Sequence, residues 1–365
     1  MVITVLIIVV IVLSVYLFLQ QPQFGGKPSG NTLKRIKGSS NYSNGQFQNL
    51  NYTPQLTGGV SMFTVMRDFF FNKSKRSVPS TPLPTRKTDL FRLNVNENVL
   101  VWFGHSSYFM QLDGKRFLVD PVFSGHASPI SFTTRSFRGS DVYSTADIPD
   151  IDFLIVSHDH YDHLDHKTIA SLRTKVKTVI TGLGVAAHLK RWGYDEGIIY
   201  ENDWHEELRF GQFVFNATPA RHFSGRTFKR NLSIWLSMVL TTPTKKIYLG
   251  ADSGYDTHFK TIGEKFGPFD LAILENGQYN KYWRHIHMMP EEVVQAAQDL
   301  QARKLLPVHW GKFSLSLHPW DEPITRVVRE AKLKGVDVLH PMIGEPLYFD
   351  KENVFSEWWK YDAVS

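Results

Sequence analysis

Apolar and polar positions divide this 365-residue chain into three regimes. From Val2 to Leu19 the run is almost unbroken, interrupted by Thr4, Ser14 and Tyr16. At helical rise, about 18 such residues can just span a hydrocarbon core. No Lys or Arg precedes the run and no small-residue cleavage site closes it; Gln20, Gln21 and Pro22 follow directly. The run is therefore expected to be an uncleaved single-pass anchor, residues 1–21, and not a signal peptide. Residues 22–92 are rich in Gly, Ser, Asn, Pro and Lys, and Pro79, Pro82 and Pro84 close them. They read as a linker and irregular arm with a short helix near Met62–Phe71. The Phe69-Phe70-Phe71 triplet is either a packing anchor or an interfacial contact.

The third regime, residues 93–350, alternates short apolar segments with longer helical patterns. Strands are predicted at 99–103, 107–112, 115–119, 152–157, 178–181, 212–218, 232–240, 246–250, 271–274 and 305–308. Helices are predicted from about Asp165 and at 184–192, 258–265, 290–303 and 322–334. In 290–303, Val293, Val294, Ala297 and Leu300 share a face behind a Pro-Glu-Glu start. Strands first, then mixed strands and helices, argue for layers packed around two sheets. Residues 351–365 are expected to form a tail. No internal repeat of fixed period is visible.

Candidate chemistry concentrates after the predicted strand 152–157. His158-Asp159-His160-Tyr161-Asp162-His163 places four metal-ligand side chains within six positions. His222, Asp252 and His309 each follow a short apolar or β-rich segment of their own, so all four groups are expected at one edge of the sheets. The residues supply enough nitrogen and oxygen for two cations. His158, His160 and His222 would hold one; Asp162, His163 and His309 would hold the other, with Asp252 bridging. A carboxylate can span two ions about 3.5–4 Å apart. Zinc suits imidazole and carboxylate, and two zinc ions are the first expectation. Iron or manganese would fit similar donors. Such a site points to metal-activated water attacking an electrophile. Asp120 follows the segment 116–119 and either accepts a hydrogen bond from a ligand histidine or makes an Asp-Pro turn. His105 either lines the site or caps local structure.

The His-x-His-x-Asp-His pattern with separate His, Asp and His resembles the metallo-β-lactamase superfamily over roughly residues 95–350. That resemblance implies an α/β (α+β) fold, a four-layer αββα sandwich with a dinuclear site between the sheet edges, here carrying an N-terminal transmembrane helix. A narrower resemblance is to the N-acyl-phosphatidylethanolamine-hydrolysing phospholipase D family. Gly104-His-Ser-Ser107, Asp120-Pro-Val-Phe-Ser124, His158 to Asp165, Gly250-Ala-Asp-Ser-Gly-Tyr255, Phe266 to Leu271, His287 with Pro290-Glu-Glu292, and His309-Trp-Gly311 carry it in order. The family implies a zinc phosphodiesterase. It would release N-acylethanolamine and phosphatidic acid by attack of metal-bound hydroxide. Asp162 would orient the hydroxide. His287 would contact phosphate or act as general acid; from the residues alone it is an ordinary loop histidine, with His285 as its competitor. Two departures limit the transfer of lipid specificity: the membrane-length start, and the segment Pro219 to Arg226, which is also common in bacterial relatives of unassigned substrate.

Composition narrows the remaining choices. Hydrophobic content of 42% supports a large core. Aromatic content of 13%, with 9 Trp and 26 Phe, mostly serves packing, though a surplus can line a lipid groove or a membrane interface. The absence of cysteine excludes disulfides and thiolate ligands. The net charge of +6 is scattered, with much of the excess in residues 27–87, and the long insertion of nucleases of this superfamily is missing between Asp252 and His309. No nucleic-acid partner is expected. The expected partners are a membrane lipid substrate and the bilayer, with a homodimer left open. Lys27, Lys34, Arg35 and Lys37 follow the anchor and favour a cytoplasmic catalytic domain. A lactonase or other ester hydrolase using the same metals is the competing function.

Overall fold

The computed structural model describes residues 1–364. Helix α1 (Val2–Leu19) buries none of its residues and is long and apolar enough to cross a membrane. The arm that follows carries α2 (Gly30–Gly38), a hairpin of β1 (Tyr42–Ser43) and β2 (Gln46–Phe47), and α3 (Met62–Phe71). Ser61 caps α3, its hydroxyl accepting from Thr64 N–H at 3.2 Å. The arm is fastened to the domain: Ile36 and Phe47 are buried in the main core, and Phe47 N–H donates to Asn231 O at 2.8 Å.

The next segment builds β3 (Val99–Trp102), β4 (Tyr108–Leu112), β5 (Lys115–Val119), β6 (Ile151–Val156), α4 (His166–Leu172), β7 (Val176–Gly182), α5 (Ala186–Arg191) and β8 (Ile199–Asn202). A second set follows: β9 (Glu207–Phe210), β10 (Phe213–Thr218), β11 (Ser237–Thr241), β12 (Lys246–Leu249), α6 (His258–Phe266), β13 (Leu271–Glu275), α7 (Pro290–Asp299) and β14 (Leu305–Val308). Helix α8 (Glu322–Lys334) and β15 (Pro346–Tyr348) complete the order. One sheet runs β15-β3-β4-β5-β6-β7-β8; the other runs β14-β13-β12-β11-β10-β9. The pairings β5 to β8 and β12 to β14 are parallel, the rest antiparallel. These are the two sheets of an αββα sandwich.

Strand alternation decides which layer each side chain enters. In β3, β5 and β6 the residues Leu100, Trp102, Phe117, Val119, Phe153 and Ile155 join the core between the sheets. Their neighbours Val99, Val101, Leu118, Leu154 and Val156 face a separate core with Ile169 and Leu172 of α4 and Leu189 of α5. Both faces of these strands are buried, which is why they read as continuous apolar runs. Phenylalanines bind the sheets together: Phe153 stacks on Phe117 at 5.2 Å and meets Phe215 at 5.0 Å between centroids.

The structure differs from the sequence reading mainly at the edges. Strands β8, β9 and β15 were not expected; β9 reads Glu-Leu-Arg-Phe and β15 begins with Pro, a residue tolerated at a sheet edge. The strand expected at 232–240 pairs only from Ser237. Residues 234 and 236 instead donate to Leu183 O and Ser157 O on the other sheet's loops. The expected tail is no loose end: Trp358 and Trp359 are buried, and Trp358 stacks on Trp310 at 5.1 Å. Phe153→Ala should cost about 3–5 kcal/mol through transfer and cavity terms. Chemical denaturation checks this, and a loss below about 1 kcal/mol would contradict the inter-sheet role.

Candidate metal centre

The ligand loop begins where β6 ends. Ser157 N–H and Oγ donate to the two Asp120 carboxylate oxygens at 2.8 and 2.6 Å, locking the start of the loop to the end of β5. The chain then winds back on itself, with His163 and Leu164 N–H both donating to His160 O, and Asp165 caps α4. This turn aims His158, His160, Asp162 and His163 inward. The other ligand-bearing loops follow β10, β12 and β14, at the same edge of the sandwich.

The side chains meet in two groups whose ligand atoms lie within 4.8 Å of one another, His158, His160, His222 and Asp252, and His105, Asp162, His163 and His309; a third, overlapping group joins His287 to Asp252 and His309. Asp252 borders the first two. Its Oδ2 lies 3.2 Å from His163 Nε2, 3.7 Å from His222 Nε2 and 4.0 Å from His158 Nε2; its Oδ1 lies 3.1 Å from His309 Nδ1. All seven candidate ligands converge, and His105 joins them, its Nε2 held 2.8 Å from Asp162 Oδ2.

The electrostatics prepare donors. Burial holds His158, His222 and His309 well below the usual histidine range, and lowers His160 and His105, so their lone pairs are available. Burial alone would raise Asp162 and Asp252, but the surrounding imidazoles, His163 foremost, hold both well below the carboxylate range. Two hydrogen bonds set tautomers. His222 Nδ1 donates to Ile286 O at 2.9 Å and His163 Nδ1 to Asp120 Oδ2 at 2.8 Å, pointing each Nε2 at the centre. Against burial, the Asp252 and Asp162 carboxylates hold His163 well above the usual histidine range, so a cation taking its Nε2 would displace a proton. His163 Nε2 and Asp252 Oδ1 are buried and make no hydrogen bond among the described residues. Leaving such atoms unsatisfied costs about 1–3 kcal/mol each. A divalent cation would satisfy both, and this nitrogen-and-oxygen set fits one.

The backbone is strained here. His105, Asp120, Gln278 and His309 have φ of 53°, 41°, 59° and 68°, a region non-glycine residues seldom adopt. Reciprocal bonds hold two of them: His105 N–H to Trp310 O at 2.8 Å and His309 N–H to His105 O at 2.9 Å.

Several participants had no sequence reading. Asn49, in the arm, clasps His222 from both sides: its amide donates to His222 O at 2.7 Å and accepts from His222 N–H at 3.0 Å. Glu275, at the end of β13, sits 3.2 Å from His287 Nδ1 and accepts from Met288 N–H at 2.7 Å. Burial pushes Glu275 up to about 7, while its carboxylate, overcoming burial, pulls His287 up. Position alone hinted at Glu275, since a carboxylate ends its strand much as Asp120 and Asp252 follow theirs. His287 lies over the centre, 5.1 Å from the His222 ring and 5.3 Å from the His309 ring. His285 is outside the cavity.

That cavity, ≈ 290 Å³, is floored by His160, Asp162, His222, Asp252, His287 and His309 and walled by Leu56, Met62, Val65, Phe223, Trp283, Ile286 and Leu315. A larger cleft of ≈ 880 Å³ lies between residues 45–55 and 228–232; its wall has amides and cations but neither carboxylate nor imidazole. The smaller cavity is the one that touches the chemistry.

Asp252→Ala should empty both ligand groups, read as metal per chain by elemental analysis; full metal content in that variant would refute the shared position of Asp252. Asp120→Asn should weaken metal binding about 10–100-fold without unfolding the chain.

Residues 115–310 match the family described as the beta-lactamase superfamily domain. An uncharacterized protein of Mycobacterium tuberculosis is 36% identical over 333 residues, 88% of this chain and 88% of its own. The N-acyl-phosphatidylethanolamine-hydrolyzing phospholipase D 1 of Caenorhabditis elegans is 34% identical over 232 residues, 59% of this chain and 64% of that protein. A metallo hydrolase from the archaeon Ignicoccus hospitalis shares the fold, with a TM-score of 0.54 at 18% identity over 70% of this chain and 100% of its own. Matched over most of its catalytic region and furnished with two His/Asp clusters, this chain belongs to the metallo-β-lactamase superfamily as a metal-dependent hydrolase similar to N-acyl-phosphatidylethanolamine-hydrolysing phospholipase D.

Proposed function

We propose that this chain is a membrane-anchored, two-metal phosphodiesterase acting on N-acyl-phosphatidylethanolamine-like lipids, with zinc as the native ion. The observation that carries the reading is the pairing of chemistry and surface in one cavity. Carboxylates and imidazoles form its floor, while Leu56, Met62 and Val65 form an apolar wall. Helix α3, which supplies Met62 and Val65, turns Phe63, Phe70 and Phe71 outward, each at least 70% exposed. Exposed aromatics beside an apolar cavity suit a substrate drawn from a bilayer. The similarity to the worm phospholipase D supports the same substrate class.

Bound cations would supply Lewis acidity, acidifying water and drawing charge from a phosphoryl oxygen. The chain's residues do the rest. Asp162, steadied by His105, orients the attacking water. The apolar wall receives an acyl chain and keeps bulk water out. Glu275 holds His287 by Nδ1, and His287 Nε2 delivers a proton to the departing ethanolamine oxygen, an otherwise poor leaving group. The phosphorus–oxygen bond to N-acylethanolamine breaks, and the water oxygen remains on phosphatidic acid. Lys27, Lys34, Arg35 and Lys37 favour a cytoplasmic domain.

Purified full-length protein should hydrolyse an N-acyl phospholipid faster than a generic phosphodiester, and both faster than a lactone panel. Turnover confined to lactones would replace this reading with the ester-hydrolase one. Metal chelation should abolish turnover and zinc should restore it. His287→Gln should lower kcat about 10²–10⁴-fold with metal content unchanged; a wild-type kcat would remove His287 from the proton path. Removing residues 2–17 should release the protein from membranes while sparing a soluble substrate, and retention in the membrane pellet would contradict anchoring by α1.

A further inference from the structure

Residues 20–26 join the apolar helix α1 to the domain, and they are seated with unusual completeness for a linker. Gln23 O accepts from Arg226 Nε and Nη2 at 2.9 and 2.7 Å, Pro22 O accepts from Trp192 Nε1 at 2.8 Å, and Gly26 N–H donates to His188 Nδ1 at 3.1 Å. The fit demands glycine. At Gly25, where φ is +72°, a Cβ would fall 1.9 Å from His188 Nδ1; at Gly26 it would fall 2.1 Å from Ala187 O.

Two of these partners also grip the ligand loops. The Arg226 guanidinium is buried, with its centre 4.1 Å from the Tyr161 ring centroid. Its Nη1 donates to Asp159 O at 2.7 Å and Leu164 O at 2.8 Å, near the two ends of the turn that carries His160, Asp162 and His163. His188 accepts a main-chain N–H at Nδ1, so its proton sits on Nε2 and donates to Asp159 Oδ2 at 3.3 Å. Asp159 Oδ1 in turn accepts from Gly225 N–H at 2.6 Å, in the loop that carries His222. One guanidinium and one imidazole thus hold the linker on one side and both ligand loops on the other.

We propose that residues 20–26 are a positioning strap whose seating on Arg226 and His188 sets the geometry of the ligand loops 158–164 and 222–226, coupling the N-terminal helix to the metal centre. The proposal rests on the ligand assignment above and needs no particular substrate.

The test uses full-length protein in detergent, loaded with cobalt(II) as a spectroscopic probe. Gly25→Val unseats the strap while altering no residue of either ligand loop. The expected result is a shifted cobalt(II) absorption spectrum and a kcat about tenfold lower on whichever soluble phosphodiester or ester the wild type turns over, with KM unchanged. A wild-type spectrum and kcat in the folded variant overturn the strap. So does an activity loss that only tracks the unfolded fraction in a thermal melt. Should Gly25→Val fail to fold, Arg226→Lys keeps the cation but lacks the forked donors, and is judged by the same spectrum and kcat. Wild-type protein that takes up no cobalt(II) overturns the ligand assignment and the strap together; wild-type uptake with unmoved variant spectra overturns the strap alone.

Discussion

Asp252 is a buried carboxylate approached by four imidazoles, and the catalytic edge is organised around making that tolerable. A charge so far from water needs opposite charge and directed donors. The protein meets the need from both sheets: β6 delivers His158 and His163, β10 His222, and β14 His309. Three of these histidines have a further partner. Asp120 fixes His163, Ile286 O and Asn49 fix His222, and Ser106 Oγ lies 2.9 Å from His309 Nδ1. The strained φ values of His105, Asp120 and His309 belong to the same economy. Relaxed backbone there would aim the groups elsewhere, and the reciprocal bonds between residues 105 and 309–310 hold the strain.

What was legible in the sequence follows from where information is local. The six-residue ligand loop announces itself because four donors crowd one turn. His222, Asp252 and His309 were legible because each trails an apolar strand. Asp120 and His105 each admitted two readings, and three-dimensional partners separate them: Asp120 meets His163, and His105 meets Asp162. Asn49 carries no pattern at all, since an amide in a polar arm looks like any solvated residue until His222 is placed beside it. Glu275 and the Asp159–His188 contact were hidden by distance along the chain. The half-exposed strand β9 and the Pro-led β15 lacked the apolar density that marks the central strands. Trp358 and Trp359 lie beyond the last α-helix, where burial depends on Trp310 being within reach.

The arm is where fold and function are least separable. Composition made residues 22–92 look like tether, yet they supply Asn49 to a ligand and Met62 and Val65 to the cavity wall. Their low intrinsic order is offset by docking: Ile36 and Phe47 are buried in the main core, and Asn49 is hydrogen-bonded to the loop that carries His222.

Under the proposed reading, attachment changes the problem the active site must solve. Phe18 packs on Phe24, and Phe24 reaches Tyr161 at 6.4 Å, so α1 leaves the domain beside the ligand loop and not from the far end of the sandwich. The cavity with its α3 wall opens from the same loop, through His160 and Asp162. A tether at that edge keeps the cavity near the bilayer plane and raises the effective concentration of lipid at the site without any new contact. The apolar wall then has less to accomplish. It need not bind a dispersed lipid from water, only lower the cost of lifting one acyl chain a short way, so a small cavity can serve a large substrate.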